Sequence, residues 1–342
     1  MTHRRTLALV AAAALGLTAP TLPLAAQASG PSELATVAGA GAGAGAGASA
    51  AAVVPCLTGA ALRDDDVPAW RRGQLEDTPT ITDEDLQAVV PAETTRRSVQ
   101  AEVEPVLPAT VTVPVYVHVI KGTHRGERNA FGPRKVARAL GILNNAFDGG
   151  QGAKNAPTRY RFELVRTDYT KRDGWFHAYN NGSRDNRMKR ALHRGGADAL
   201  NLYLNRGGAP GMPVLGWARF PWRAAGTPLD HVSVNIDAMP GGRADGYNAG
   251  DTLVHEVGHW MGLFHTFEGG CEGGGDLVAD TAAEAEPEFD CTEGRDTCPE
   301  QPGLDPVHNF MDYSLDACMT EFTAGQVRRM DTAFAQYRSG RS

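Results

Sequence analysis

Eleven residues constrain this chain more than any others: His255-Glu256-Val257-Gly258-His259-Trp260-Met261-Gly262-Leu263-Phe264-His265. On a helix, residues four apart share a face, so His255 and His259 can reach one ion together. Glu256 stands one residue along, beside that ion but not aimed at it, where it can accept a proton from a metal-activated water. Gly262 can end the helix in a left-handed conformation that a side chain would penalise. The chain then turns, and His265 completes three imidazoles around an open fourth position. Two histidines flanking a glutamate in this way also occur by chance on ordinary helices. Here Gly262 and His265 add two matches at fixed offsets, and each removes chance occurrences by roughly tenfold.

The rest of the composition narrows the class of protein. A formal charge of −7 leaves no basic excess to pair with phosphates, which argues against a nucleic-acid binder. Residues 1–28 read as an export signal: His3, Arg4 and Arg5 are followed by an apolar stretch, Leu7 to Leu17, and by Ala26-Gln27-Ala28 as the cleavage pattern. The alternative, a membrane anchor, needs about 20 apolar residues, which neither this stretch nor any later one supplies. The expected product is secreted, with no membrane attachment. Of five cysteines, Cys271, Cys291, Cys298 and Cys318 cluster near the C-terminus and Cys56 stands alone. In an exported chain the cluster suggests two disulfides. A structural zinc site is the weaker alternative, because no two of them are spaced as a close ligand pair.

Ala38 to Ala52 is almost pure glycine and alanine and has no side chains with which to build a core. It reads as a flexible spacer, a silk-like stack being the alternative. The polar stretch that follows contains a short helix expected around Ile81 to Val90, started by Thr82. Residues 29–105 as a whole read as a pro-segment. From Val111 the texture changes. Strands are expected at Val111–Ile120, Tyr160–Arg166, Ala199–Leu204, Val214–Phe220 and His231–Ile236. Helices are expected at Gly132–Phe147, at Arg184–His193 (exposed), at Asp251–Met261 and at Thr323–Tyr337. Between the last two helices regular structure thins out. The pattern is an α/β half, a helix carrying the histidines, and an irregular C-terminal half.

The histidine segment is similar to the long zinc motif of metzincins. Its flanks resemble the pappalysin, or cytophagalysin-like, M43 family: Leu215-Gly216-Trp217-Ala218-Arg219-Phe220-Pro221 upstream, and Gly275-Asp276-Leu277-Val278-Ala279-Asp280-Thr281 and Asn309-Phe310-Met311-Asp312-Tyr313-Ser314 downstream. The similarity covers residues 106–342. It implies an α+β metzincin catalytic domain over that range: a twisted mixed sheet with backing and active-site helices above, and an irregular disulfide-stapled subdomain below. It implies a zinc-dependent endopeptidase acting on extracellular protein, with Zn2+ held by His255, His259 and His265 and with Glu256 and Tyr313 as catalytic residues. Met311 would form a hydrophobic floor beneath the metal. His308 is left out of the ligand set, since a fourth protein ligand would close the site.

The same resemblance implies the pairs Cys271–Cys298 and Cys291–Cys318. A peptide substrate would add to an edge strand near Val214 to Ala218. Nine carboxylates from Asp276 to Glu300 read either as solvated surface or, as in relatives, as ligands for structural Ca2+. Cys56 would serve autoinhibition by the pro-segment if its thiolate took the fourth zinc position. Its context, Val54-Pro55-Cys56-Leu57-Thr58-Gly59, departs from the Arg-Cys-Gly setting of relatives, and a bystander thiol is the alternative. Asp316 follows Tyr313 where relatives carry an acid that selects basic residues, but not in clear register, so basic specificity is not expected of it. An inactive zinc-binding module would need Glu256 or the open position to be compromised, and neither is.

Overall fold

The computed structural model describes residues 81–82, 85–86, 107–124, 131–178, 181–207, 214–272 and 274–340. By its contacts the chain divides into Met1–Val53 and Val54–Ser342, and every described residue belongs to the second unit. The export signal, the spacer, Cys56 and most of the expected Ile81–Val90 helix lie outside the described residues. Thr82 and Asp85 do keep the reciprocal exchange of a helix start: the Thr82 amide donates to Asp85 Oδ2 at 2.7 Å, and the Asp85 amide to Thr82 Oγ1 at 3.4 Å.

Five strands form one sheet in the order β2-β1-β3-β5-β4. They are β1 (Val111–Lys121), β2 (Tyr160–Lys171), β3 (Leu200–Asn205), β4 (Gly216–Ala218) and β5 (Val232–Asn235). The first four in spatial order are parallel, and β4 is antiparallel to β5 at the edge. The central strands β3 and β5 are buried throughout, as expected of parallel strands covered on both faces. Among the described residues six α-helices accompany the sheet: α1 (Pro133–Phe147), α2 (Asp173–Phe176), α3 (Ser183–Leu192), α4 (Pro221–Ala224), α5 (Asp251–Trp260) and α6 (Ala324–Tyr337). Helix α1 starts on Pro133 and buries Val136, Leu140, Leu143 and Phe147, the stripe its spacing predicts, against β2 and α5. None of the described helices is long and apolar enough to cross a membrane.

Between α5 and α6 the chain has almost no regular structure, and the two disulfides are Cys271–Cys298 and Cys291–Cys318, as the resemblance implies. Each joins residues 27 apart, which restricts the unfolded chain by about 3.5 kcal/mol. Helix α6 begins with a capping box between Thr323 and Gln326 and buries Met330 and Phe334.

One expectation fails. The charged segment Arg184–His193 was expected to be exposed, yet α3 buries Asp185, Met188 and Lys189. Lys189 Nζ donates to Asp185 Oδ2 at 2.6 Å and to His231 Nε2 at 2.5 Å, and lies 5.0 Å from the Trp217 ring centre. Burial draws the Lys189 ammonium down to about 8 despite Asp185, and holds His231 well below its ordinary range. The charges satisfy one another inside, so a charged sequence hides a buried face.

A second buried pair ties the chain's end to the helix of the histidines. The Arg338 guanidinium donates to Asp230 Oδ2 at 2.7 Å and to the Trp260 carbonyl at 2.8 Å, and stacks 3.5 Å from the Trp260 ring centre; Trp260 Nε1 donates to Asp230 Oδ1 at 2.9 Å. Both charged side chains are fully buried. Removing one partner strands the other charge, so Arg338→Ala should lower unfolding free energy by about 3–5 kcal/mol. The double variant Arg338→Met with Asp230→Asn should recover much of that loss in a denaturant titration. Equal losses in the single and double variants would show that packing on Trp260, not charge, is what matters.

Candidate active site

Helix α5 carries His255, Glu256 and His259, and all three are buried. The helix stops where expected: Gly262 has φ +98°, and the amides of Gly262 and Leu263 donate back to His259 and Gly258 carbonyls at 2.9 and 3.0 Å. A Cβ at Gly262 would also come within 2.9 Å of Ala333. The turn returns the chain so that His265 faces the other two imidazoles.

The protonation of these rings follows from their partners. His255 Nδ1 donates to the Phe310 carbonyl at 2.6 Å, His259 Nδ1 to the Leu263 carbonyl at 2.8 Å, and His265 Nδ1 to Glu268 Oε2 at 3.0 Å. A carbonyl or carboxylate oxygen accepts here, so each Nδ1 carries a proton and Nε2 is the nitrogen that, in the neutral ring, presents a lone pair. Those Nε2 atoms converge: His259 lies 3.0 Å from His255 and 3.1 Å from His265. Three lone pairs aimed at one another repel unless a cation sits among them. Tetrahedral zinc, with nitrogens at about 2.1 Å, would space them at about 3.4 Å, so the set fits a metal with little adjustment. The Nδ1 acceptors are the outer partners that fix ring orientation at metal sites.

Among the described residues, the one other group close enough to share an ion is Cys291, His308 and Cys318. Both of its sulfurs are in a disulfide, and His308 Nε2 pairs with Glu293 at 3.0 Å. In the acidic stretch, Arg295 stands where a cation would. Its Nη1 meets Glu284 Oε1 at 2.8 Å and Asp305 Oδ2 at 2.9 Å, and its Nε lies 3.6 Å from Glu288 Oε2. The calcium expectation gains no side-chain cluster there.

Met311 lies directly beneath the helix, where a Cβ at Gly258 would overlap its sulfur. Gly216 on β4 leaves room for the Glu256 carboxylate in the same way. Tyr313 Oη is 3.2 Å from His265 Nε2, and Phe267 stacks on the His265 ring at 4.7 Å. A pocket of about 400 Å³, including its open mouth, adjoins Glu256 between Leu215, Tyr247, Thr252, Tyr313 and Met319. All five residues expected at the site (His255, Glu256, His259, His265 and Tyr313) are therefore brought together. Sequence reading missed Gly258 and Glu268; an acid three residues after His265 was the available signal for the second.

Asp316 does something unforeseen. Its Oδ2 accepts the Ala249 and Gly250 amides at 2.7 and 3.0 Å, capping α5 from a distant segment. It also faces Asp251.

The fold and site define a metallopeptidase of the metzincin type. More narrowly, the chain belongs to the M43 peptidase family. The family model described as pregnancy-associated plasma protein-A, Peptidase M43, matches residues 214–335. The extracellular metalloprotease of Colletotrichum graminicola is 40% identical over 240 residues, covering 68% of this chain and 79% of the relative. That of Pyricularia oryzae is 41% identical over 235 residues, covering 68% and 78%. Among solved structures, mature mirolysin of Tannerella forsythia in complex with a cleaved peptide shares 26% identity at a TM-score of 0.55, covering 66% of this chain and 92% of that one. Promirolysin, at 24% identity and TM-score 0.58, shows the same fold over 74% of this chain and 88% of that one. The M43 resemblance read from the sequence is thus borne out.

Burial, then Asp316, raises Asp251 from 3.8 to about 7; burial raises Asp316 to about 6. Acids with raised folded values bind protons more tightly when folded. Their contribution to stability is present below about pH 4 and is lost as pH rises toward about 7. Asp251→Asn should therefore flatten the pH dependence of unfolding free energy between pH 4 and 7. It should leave the variant more stable than wild type at pH 7.5, by at most about 4 kcal/mol. Any metal-linked pH effect is shared by both proteins and cancels in the difference. Parallel curves would reject this account of Asp251.

Proposed function

We propose that the chain is a secreted zinc endopeptidase whose zinc is held by His255, His259 and His265, with Glu256 as general base. The observation that carries the reading is the convergence of three Nε2 lone pairs beside a buried carboxylate. In this reading residues 1–28 are the export signal, 29–105 the pro-segment and 106–342 the catalytic domain; the naming of the fungal relatives as extracellular supports secretion.

When bound, zinc supplies Lewis acidity, lowering the pKa of water from about 16 toward about 7 and polarising the scissile carbonyl. Glu256, one residue past His255 and facing Gly216, takes the proton of the attacking water and returns it to the leaving amine. Tyr313, close to His265, donates its hydroxyl to the oxyanion that develops on the carbonyl oxygen. The substrate lies extended along β4, whose outer edge offers main-chain hydrogen bonds at the end of the sheet. The solved mirolysin complex with a cleaved peptide supports a peptide in this cleft.

Glu256→Ala should retain zinc stoichiometry and lose at least about 100-fold in kcat on casein-derived peptides. His265→Ala should instead lose zinc on dialysis, and a chelator should silence the wild type in a zymogram. Undiminished turnover in zinc-loaded Glu256→Ala would remove Glu256 from its role.

In this reading Asp85 anchors the pro-segment. The Asp85 carboxylate, fully buried, pairs with the Arg223 guanidinium and accepts Trp222 Nε1 at 2.8 Å. Trp222 stacks on Phe220, whose edge meets His259. This docking at α4, just past β4, would seat the pro-segment across the cleft, with Cys56 as the candidate zinc plug. In the unprocessed chain, Asp85→Ala should raise peptide cleavage several-fold, while Cys56→Ser should abolish latency if the thiolate is the plug. Precursors as silent as wild type in both variants would leave inhibition to the bulk of the segment.

A further inference from the structure

The sheet has two edges, and the proposed reaction uses one of them. Strand β4 borders the cleft, whereas β2 forms the opposite edge. Tyr160 and Phe162 are buried at the start of β2, but Glu163 to Arg166, Tyr169 and Lys171 are exposed. Of the five large apolar side chains exposed among the described residues, three stand on this strand: Leu164, Val165 and Tyr169. Exposed edges are usually blunted, and here the protection stops early. Asn144 of α1 satisfies the main chain of Phe162: its Nδ2 donates to the carbonyl at 2.9 Å and its Oδ1 accepts the amide at 2.8 Å. No described side chain does the same further along β2.

Alternation tells which main-chain groups are left over. The Arg172 amide donates to the Lys121 carbonyl of β1 at 2.9 Å, so it faces inward. Counting back in twos, Thr170, Asp168 and Arg166 also face β1. Lys171, Tyr169 and Thr167 therefore turn their N–H and C=O outward, as a template for another strand. Before them the strand bulges: Leu164 faces Val115 and Arg166 faces Tyr116, so Val165 is the extra residue.

We infer that this edge pairs with a second copy of itself, β2 against β2, about a two-fold axis at Thr167. Charge complementarity selects the occupant. An antiparallel copy centred there sets Thr167 against Thr167, Arg166 against Asp168, and the bulged Leu164 and Val165 against Tyr169. Every pair except the central one occurs twice, so all three exposed apolar residues are covered and each Arg166 meets a carboxylate. Arg166 is exposed and has no carboxylate partner among the described residues, and Asp168 is steadied by His118 Nδ1 at 2.7 Å. Moving the axis by one residue would set Arg166 against Arg166 or Asp168 against Asp168. The charges that discourage an arbitrary strand thus admit this one, in one register. The result is a continuous ten-stranded sheet with a β4 at each end, the two about 43 Å apart along the sheet at about 4.8 Å per strand. Both clefts stay open. The inference does not depend on the peptidase reading.

The pairing strands are short, so association in the micromolar range is expected. Sedimentation equilibrium of the zinc-loaded full chain, from about 1 to about 300 µM, should show a monomer–dimer equilibrium. It should show no larger species, because an isologous contact closes at two. Arg166→Glu turns two attractive pairs repulsive and should weaken the dimer by at least about tenfold, with kcat/KM per chain unchanged. Thr167→Cys, on a Cys56→Ser background, should cross-link two chains under mild oxidation, since paired Cα atoms at the axis lie about 5.5 Å apart. Arg161→Cys on the same background should not. A wild type that stays monomeric, assemblies that grow beyond two, a dimer that Arg166→Glu leaves unchanged, or equal cross-linking of both cysteine variants would each overturn the inference.

Discussion

Three imidazole lone pairs meet within about hydrogen-bonding distance in a buried place, and the rest of the architecture exists to keep them there. His255 Nδ1 is held by Phe310, His259 Nδ1 by Leu263 and His265 Nδ1 by Glu268. These acceptors come from the helix's own exit, from the turn beyond it, and from a segment more than 50 residues later. The rings can face one another only if the irregular half of the chain is fixed against α5. A shift of that half by one bond length would break the Phe310 contact and leave a buried donor unmet.

That dependence explains why a region with so little regular structure carries so many long-range ties. The Cys271–Cys298 bridge closes the stretch after α5 on itself, and Cys291–Cys318 ties that stretch to the segment that follows Met311. Arg295 gathers Glu284, Glu288 and Asp305, and Asp280 meets the start of α6 through Thr323 Oγ1 at 2.8 Å. Helices and strands satisfy their own backbone; an irregular chain must find partners elsewhere. Here side chains do that work, which is why acids are so dense in a stretch that is not simply surface.

The active-site segment was legible because coordination chemistry demands particular residue types at particular offsets, and a single sequence records both. The strands were legible where β-branched residues run together, as in Val111–Ile120. Their limits were not. β2 continues to Lys171 because it pairs with β1 along its whole length, and β4 shrinks to three residues because only those find partners on β5. The buried face of α3 escaped notice for the same reason: Lys189 is readable as interior only once His231 and Trp217, far along the chain, are known to face it. Asp316 is the plainest case. Its place in the sequence left its role open, out of clear register with the recognition acid of relatives, and its position in space makes it a cap for α5.

The balance of charge around the imidazoles fits the proposed zinc on grounds separate from spacing. With each Nδ1 donating to a carbonyl or carboxylate, the neutral tautomer puts its lone pair on Nε2 and adds no charge. Two carboxylates lie against them: Glu256, almost wholly buried, and Glu268, behind His265. As carboxylates they would bring two negative charges, Glu256 with almost no access to water and Glu268 with its side chain 29% exposed. A dication among the rings would cancel that charge, and the site would be formally neutral. A monovalent ion would leave a net negative charge, and protonated rings would need partners other than one another's lone pairs. Burying uncompensated charge is costly, so the carboxylates that shape the chemistry also favour the one class of ion that three neutral imidazoles hold well.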